Sequence, residues 1–276
     1  MDWDQFNQRV ARLQAMSSTE LSGFPLMHEG KAKRVRECPE DRDFIVMEFK
    51  DSLTAFDAIK KAERSGKGAL NCAISTFMME SLRATNIIPT AFICQLSPTH
   101  QLMRRCKVVP LEVIVRNEAQ GSFCKRYGLE PGTPFPSPLT EIGLKNDALH
   151  DPFFTNDDIP IDILQLLTEA EMRIIRELAR SANHQLTEIF LQHRIRLLDL
   201  KFEFGRRYDT GQIVLIDEIN GDTCRLVDAI TGEKLDKDNF RFDLGDVMAG
   251  YVGLARHLLL DVDAILKGID TQPSPA

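Results

Sequence analysis

The stretch "DLKFEFG", Asp199 to Gly205, decides the fold. Leu198, Leu200, Phe202 and Phe204 recur at every second residue, which predicts a β-strand with one apolar face. The opposite face then carries Asp199, Lys201 and Glu203. Downstream, "RRYDTG" reads as a turn and "QIVLIDEI" as a second strand, so the two form a β-hairpin folded about Tyr208 to Thr210. In that second strand Ile213, Leu215, Asp217 and Ile219 share a face, which leaves Asp217 as a carboxylate among apolar neighbours.

Closing the hairpin brings Asp217 near Glu203 or Lys201. Two carboxylates beside a lysine suit a hard cation such as magnesium, held by Glu203 and Asp217, with Lys201 on nucleotide phosphates. A cross-strand ladder of ion pairs, each worth ~0.2–1 kcal/mol, fits the spacing equally well.

Outside the hairpin, "DFIVMEFKD", "TAFICQL" and "CKVVPLEVIVRN" read as strands and "LNCAISTFMMESLRAT" as a helix. Thr168 and Glu171 make a capping box that opens the longest helix, and "LEPGTPFPSPLTE" reads as a loop. Trp3, Phe6, Val10 and Leu13 mark a short docking helix, and "VMAGYVGLARHLLLDVDAIL" a single closing one. This mixture predicts an α+β (α/β) fold of two lobes around one cleft. The expected parts are a helical extension over residues 1–26, a β-rich N-terminal lobe over 27–112, a larger C-terminal lobe over 113–265 and a flexible tail over 266–276.

The chain has 276 residues and a formal charge of −7, which argues against a nucleic-acid partner and requires any anionic ligand to meet a local basic site. No segment approaches the roughly 20 apolar residues that span a bilayer, so a cytoplasmic protein without a membrane partner is expected. Six scattered cysteines without C-x-x-C predict reduced, structural thiols. Neither a Walker A loop nor G-x-G-x-x-G occurs. "HEGKAK" instead places Gly30 beside Lys31 and Lys33 at a strand opening, where backbone N–H groups and ammonium groups can approach phosphate. "VIVRNEAQGSFCKR" delivers Arg116 towards Gly121 and Ser122, a second place suited to an anion.

Taken in order, "EGKAK", "FKD", "TAFDAIKK", "GKGALN", "PLEVIVRN", "GS", "KND", "DP", "DLKFEFG", "IVLIDEI", "DTCRL" and "EKLDKDNFR" resemble the phosphoribosylaminoimidazole-succinocarboxamide synthase (SAICAR synthetase) family from about Met27 to Tyr251. The resemblance implies a two-lobed fold with ATP in the cleft. It also implies a ligase that joins L-aspartate to the carboxylate of carboxyaminoimidazole ribonucleotide through an acyl phosphate, in purine biosynthesis. Carried over residue by residue, Gly30, Lys31, Ala32 and Lys33 would form the ATP phosphate loop, Glu203 and Asp217 would hold Mg²⁺, and Lys201 would sit at the phosphates. Arg116, Ser122 and Arg225 would hold the azole nucleotide, with Lys145, Asp151 and Asp199 at other active-site positions. Of these, Lys201, Asp199 and Lys145 are the candidates for catalysis. The partners implied are those small molecules and further copies of the chain in a homo-oligomer.

The chain departs from the family pattern at Arg36, Ser52, Asp57-Ala58, Asn220-Gly221 and Val227. Drift within a purine enzyme accounts for these, as does a paralogue that ligates another azole carboxylate or amino acid. A kinase-like phosphotransferase is a third reading, and the H-R-D and D-F-G signatures it would need are missing.

Overall fold

The computed structural model describes residues 3–39, 41–55, 60–241 and 246–270. Residues 56–59, which include the departures at Asp57 and Ala58, lie outside the described residues. Two helices open the chain, α1 (Trp3–Gln14) and α2 (Ser18–Ser22), the second started by a capping box between Ser17 and Glu20. Strands β1 (Leu26–Glu29), β2 (Lys33–Glu37) and β3 (Phe44–Phe49) follow, then the small hairpin β4 (Ser52–Ala55) and β5 (Lys60–Glu63). Helix α3 (Lys67–Ala84) leads to β6 (Phe92–Ser97) and β7 (His100–Arg104). The first sheet has the antiparallel order β1-β2-β3-β7-β6.

The second sheet begins with β8 (Cys106–Glu118) and continues, after the short α4 (Ser122–Tyr127), with β9 (Pro134–Leu144). The long helix α5 (Glu169–Gln192) then starts at the Thr168–Glu171 capping box that the sequence predicts. β10 (Ile195–Arg207), β11 (Ile213–Ile216) and β12 (Cys224–Asp228) complete the sheet in the order β11-β10-β8-β9, with β12 also on β10. Because all of β8 pairs within this sheet, residue 112 falls inside a strand of the second lobe. Three helices close the chain: α6 (Asp238–Arg241), α7 (Val247–His257) and α8 (Val262–Asp270).

Three expectations about local structure change. The stretch read as a proline loop contains most of edge strand β9. Pro134, Pro136 and Pro138 recur with the strand period, so the donors they lack fall on one side, which an edge strand tolerates. The single closing helix is two helices, because Leu259 turns left-handed at φ +59 and Asp261 accepts the Ala264 N–H (2.9 Å) to cap α8. Leu266 to Asp270 therefore belong to α8. The second hairpin strand stops at Ile216, since Asp217 also turns left-handed at φ +70 and leaves the alternation that would have faced it into the core.

The main core lies between α3, α5 and the apolar face of the second sheet, where Leu200, Phe202 and Phe204 are buried as their spacing predicts. Cys72 and Cys224 belong to it, and burial pushes both thiols well up, so they act as packing groups. A second core joins Leu13 and Leu21 of the N-terminal helices to Phe44, Val46 and Leu102 on the back of the first sheet. Trp3 is 66% exposed and makes a T-shaped contact with Phe6, which packs against this core. Among the described residues no helix is long and apolar enough to cross a membrane.

His100 ties the N-terminal helices to the sheet. Its Nε2 meets Ser22 Oγ (3.1 Å) and its Nδ1 meets Ser97 Oγ (2.8 Å). Burial lowers its pKa from 6.5 to about 4, while Glu48 and Arg36 act in opposite senses. Stability that depends on the neutral ring is complete above about 6.5 and is lost as pH falls through about 4. Urea midpoints of the wild type should fall across this window, and His100→Gln should show a shallower decline there. Equal slopes would assign the acid limb to other groups.

Candidate active site

Strand β10 runs between neighbours on both sides and is buried on both faces, including Asp199 and Glu203. Its charges are accommodated by register. Asp199 lies directly opposite Arg116 of β8 on one side and Arg225 of β12 on the other. Arg116 Nη1 donates to Asp199 (2.5 Å) and Nε to Glu141 of β9 (2.6 Å), while Arg225 Nη1 reaches the same Asp199 at 2.7 and 3.0 Å. Removing one partner from so buried an ion pair costs ~3–5 kcal/mol, so this row is a fixed part of the sheet. Arg116, 2% exposed, is held by carboxylates on both sides and sets the position of Asp199 and, through it, of Arg225.

Two residues along the same face, Lys201 contacts Glu203 (2.8 Å) and Glu112 of β8 (3.1 Å). Lys145, in the loop after β9, also pairs with Glu203. Burial alone would raise Glu203, but Lys201, Lys145 and Lys33 outweigh it and hold the carboxyl well below its usual range. Burial likewise works against charge on Lys201, and Glu203, Asp217 and Glu112 reverse it, raising the pKa above the ordinary lysine value.

The first sheet contributes from across the cleft. Gly30 N–H donates to the Lys33 carbonyl (2.8 Å), which closes the β1–β2 turn through Lys31 and Ala32. Lys33 then pairs with both Asp217 and Glu218 just beyond β11, and Lys31 with Asp147 (2.9 Å) after β9. The left-handed turn at Asp217 is what takes its carboxylate out of the core and onto Lys33. Glu203 and Asp217 thus act on the same two ammonium groups, Lys33 and Lys201. Both offer only oxygen donors, the kind magnesium prefers.

At the other end of the row, Gly121 sits against Arg225. A Cβ there would lie 2.8 Å from Nη2, and φ is +55, so only glycine lets the start of α4 and Ser122 approach this guanidinium. Arg225 keeps a 21% exposed side chain, with Asp238 3.5 Å from its Nε. Asp151 stands apart from this group, since its carboxylate accepts the Asn146 N–H (2.7 Å) and so shapes the loop that carries Lys145.

The site therefore brings Lys33, Lys145, Asp199, Lys201, Glu203, Asp217 and Arg225 into one continuous band, with Arg116 behind it. Sequence reasoning missed Glu112, Glu141 and Glu218. Glu112 had a signal, as the one charge between Val108 and Val115, four residues short of Arg116. Glu218 did not, because its role depends on the broken alternation at Asp217.

The family profile described as SAICAR synthetase matches residues 26–258. The phosphoribosylaminoimidazole-succinocarboxamide synthase of Campylobacter curvus is 44% identical over 234 residues, which cover 85% of this chain and 98% of that one. The crystal structure of the synthase of that name from Ehrlichia chaffeensis superposes with a TM-score of 0.80 at 39% identity, covering 85% of this chain and 98% of that one. A SAICAR synthetase solved in complex with ADP superposes at 0.79 with 40% identity, over 84% and 96% of the two chains. With the profile spanning both sheets and every strand of the charged band, the chain belongs to the SAICAR synthetase family.

Proposed function

We propose that the chain is an ATP-dependent ligase that joins L-aspartate to the carboxylate of carboxyaminoimidazole ribonucleotide. The observation that carries this reading is the single charged band of β10, whose lysine end faces the Gly30–Lys33 turn and whose arginine end faces Gly121 at the start of α4. A carboxylate is a poor electrophile and must be activated before an amine can attack it. One oxygen of the acceptor carboxylate attacks the γ-phosphorus of ATP, the bond to ADP breaks, and an acyl phosphate forms. The aspartate amine then attacks the acyl carbon and phosphate leaves with that same oxygen, giving the amide.

The residues divide this work by position. The Gly30–Ala32 turn, with Lys31 and Lys33, receives the ATP phosphates. Lys201 and Lys145 offset negative charge on the phosphoryl group in transfer. Arg225 and Ser122 hold the phosphate of the acceptor nucleotide, with Asp199 fixing the guanidinium. Glu203 and Asp217 would hold Mg²⁺, which when bound would neutralise negative charge on the phosphates. Holding both reactants rigidly along one strand supplies the alignment that in-line displacement requires.

Incubation with Mg·ATP, L-aspartate and carboxyaminoimidazole ribonucleotide should yield the succinocarboxamide by mass spectrometry. Amide formation only with a different azole carboxylate or amino acid would assign the chain to a paralogous reaction.

Glu203→Gln and Asp217→Asn should each lower turnover by on the order of 10²-fold or more, with thermal melts confirming the fold. Near-wild-type rates at limiting magnesium would return both residues to an ion-pair ladder. Arg225→Ala should raise the KM for the acceptor nucleotide at least about tenfold more than that for ATP. Equal effects on the two substrates would mean a general structural loss.

A further inference from the structure

Helix α3 is buried from Lys67 to Cys72, and Lys67, Asn71 and Ser75 recur every fourth residue along it as a polar stripe, each at most 1% exposed. All three meet one loop, residues 217–223, which begins at Asp217 and Glu218 and leads into β12, where Arg225 lies. Lys67 Nζ pairs with Asp222 Oδ2, Asn71 Nδ2 donates to the same oxygen (2.9 Å), and Ser75 Oγ accepts the Ile219 N–H (3.3 Å). The other oxygen, Asp222 Oδ1, accepts from Tyr251 (2.8 Å) and lies 3.9 Å from Lys237. Lys67 also donates to the Ser52 carbonyl (3.1 Å), and Ser52 Oγ donates to the Lys31 carbonyl (2.7 Å) in the phosphate turn.

A continuous set of contacts thus runs from the turn that receives ATP, through Ser52 and Lys67, to Asp222 and the loop with Asp217 at one end and Arg225 just beyond the other. Stability alone does not account for it. Burying an ion pair is seldom better than packing apolar groups of the same volume. Beside this one, Asn71 Oδ1 and Asn220 Nδ2 are buried with no hydrogen-bond partner. Imperfect burial of this kind marks places where position has been kept at the expense of stability.

We propose that Lys67 and Asp222 are positioning residues that hold the nucleotide half of the site in register with the acceptor half. The proposal rests on the ligase reading above. Without the tether the acyl phosphate still forms but is no longer held against the amine. Water then attacks its acyl carbon, the bond to the phosphate oxygen breaks, and carboxylate and phosphate are regenerated. ATP is consumed without amide.

The test measures ADP and succinocarboxamide together, for the wild type, Lys67→Met, Asp222→Asn and the double variant, in which both buried charges are removed and neither is left alone. Separate titrations give Kd for Mg·ATP and for the acceptor nucleotide. Amide formation should fall by about 10- to 100-fold. The ratio of ADP to amide should rise above the wild-type ratio, while both Kd values stay within about twofold. If the singles fail to fold, the double variant still reports the ratio. A double variant with the wild-type ratio, its rate falling only with the folded fraction, overturns the proposal and leaves the ligase reading standing. A wild-type protein that makes no amide from these substrates overturns both.

Discussion

The structure depends on the pairing of Asp199 between Arg116 and Arg225, one on each neighbouring strand. A central strand buried on both faces is ordinarily apolar, because an ion taken from water without a partner is prohibitively costly there. β10 carries three charges in that environment and keeps each beside an opposite charge, Asp199 between Arg116 and Arg225, Lys201 beside Glu112 of β8, and Glu203 beside Lys201 and Lys145. A slip of one residue would turn Asp199, Lys201 and Glu203 onto the core face and Leu200 and Phe202 out of it. The ion pairs that assemble the site are therefore the same ones that fix the register of the fold, so site and scaffold cannot be separated.

Much of this was legible in the residues. Strand period alone showed which face of β10 is charged, and the Tyr208–Thr210 turn and the Thr168–Glu171 box marked the hairpin and the long helix. What stayed hidden depended on backbone turns or distant partners. Nothing in "LIDEI" announces that Asp217 adopts a left-handed conformation and swings to Lys33, a residue far back in the chain. The Lys67–Asp222 pair also joins segments far apart in sequence, so neither residue's local pattern could reveal it. Prolines at every second position concealed edge strand β9, because the usual reading of proline ignores which side of a strand its missing donor faces.

The departures from the family pattern can be placed. Arg36 donates to the Phe24 carbonyl (2.9 Å) at the end of the N-terminal helices and pairs with Glu48 (2.6 Å). Those helices lie before the first residue of the family match, so Arg36 serves a part of this chain that the profile does not include. Ser52 contributes its hydroxyl to the Lys31 carbonyl. Asn220 and Gly221 form a buried turn, with Gly221 facing the Tyr251 ring, and Val227 is buried in β12 opposite Arg196. These positions support the surroundings of the charged band, and Lys33, Lys201, Glu203 and Asp217 lie within it.

The central claim is that this band activates a carboxylate by phosphoryl transfer. It is tested most directly by following oxygen. With both carboxylate oxygens of the acceptor labelled with ¹⁸O in ordinary water, each phosphate released in step with amide should carry one labelled oxygen, since that oxygen bridged carbon and phosphorus in the acyl phosphate. Unlabelled phosphate accompanying amide formation would contradict it, because the carboxylate would then never have been bonded to phosphorus.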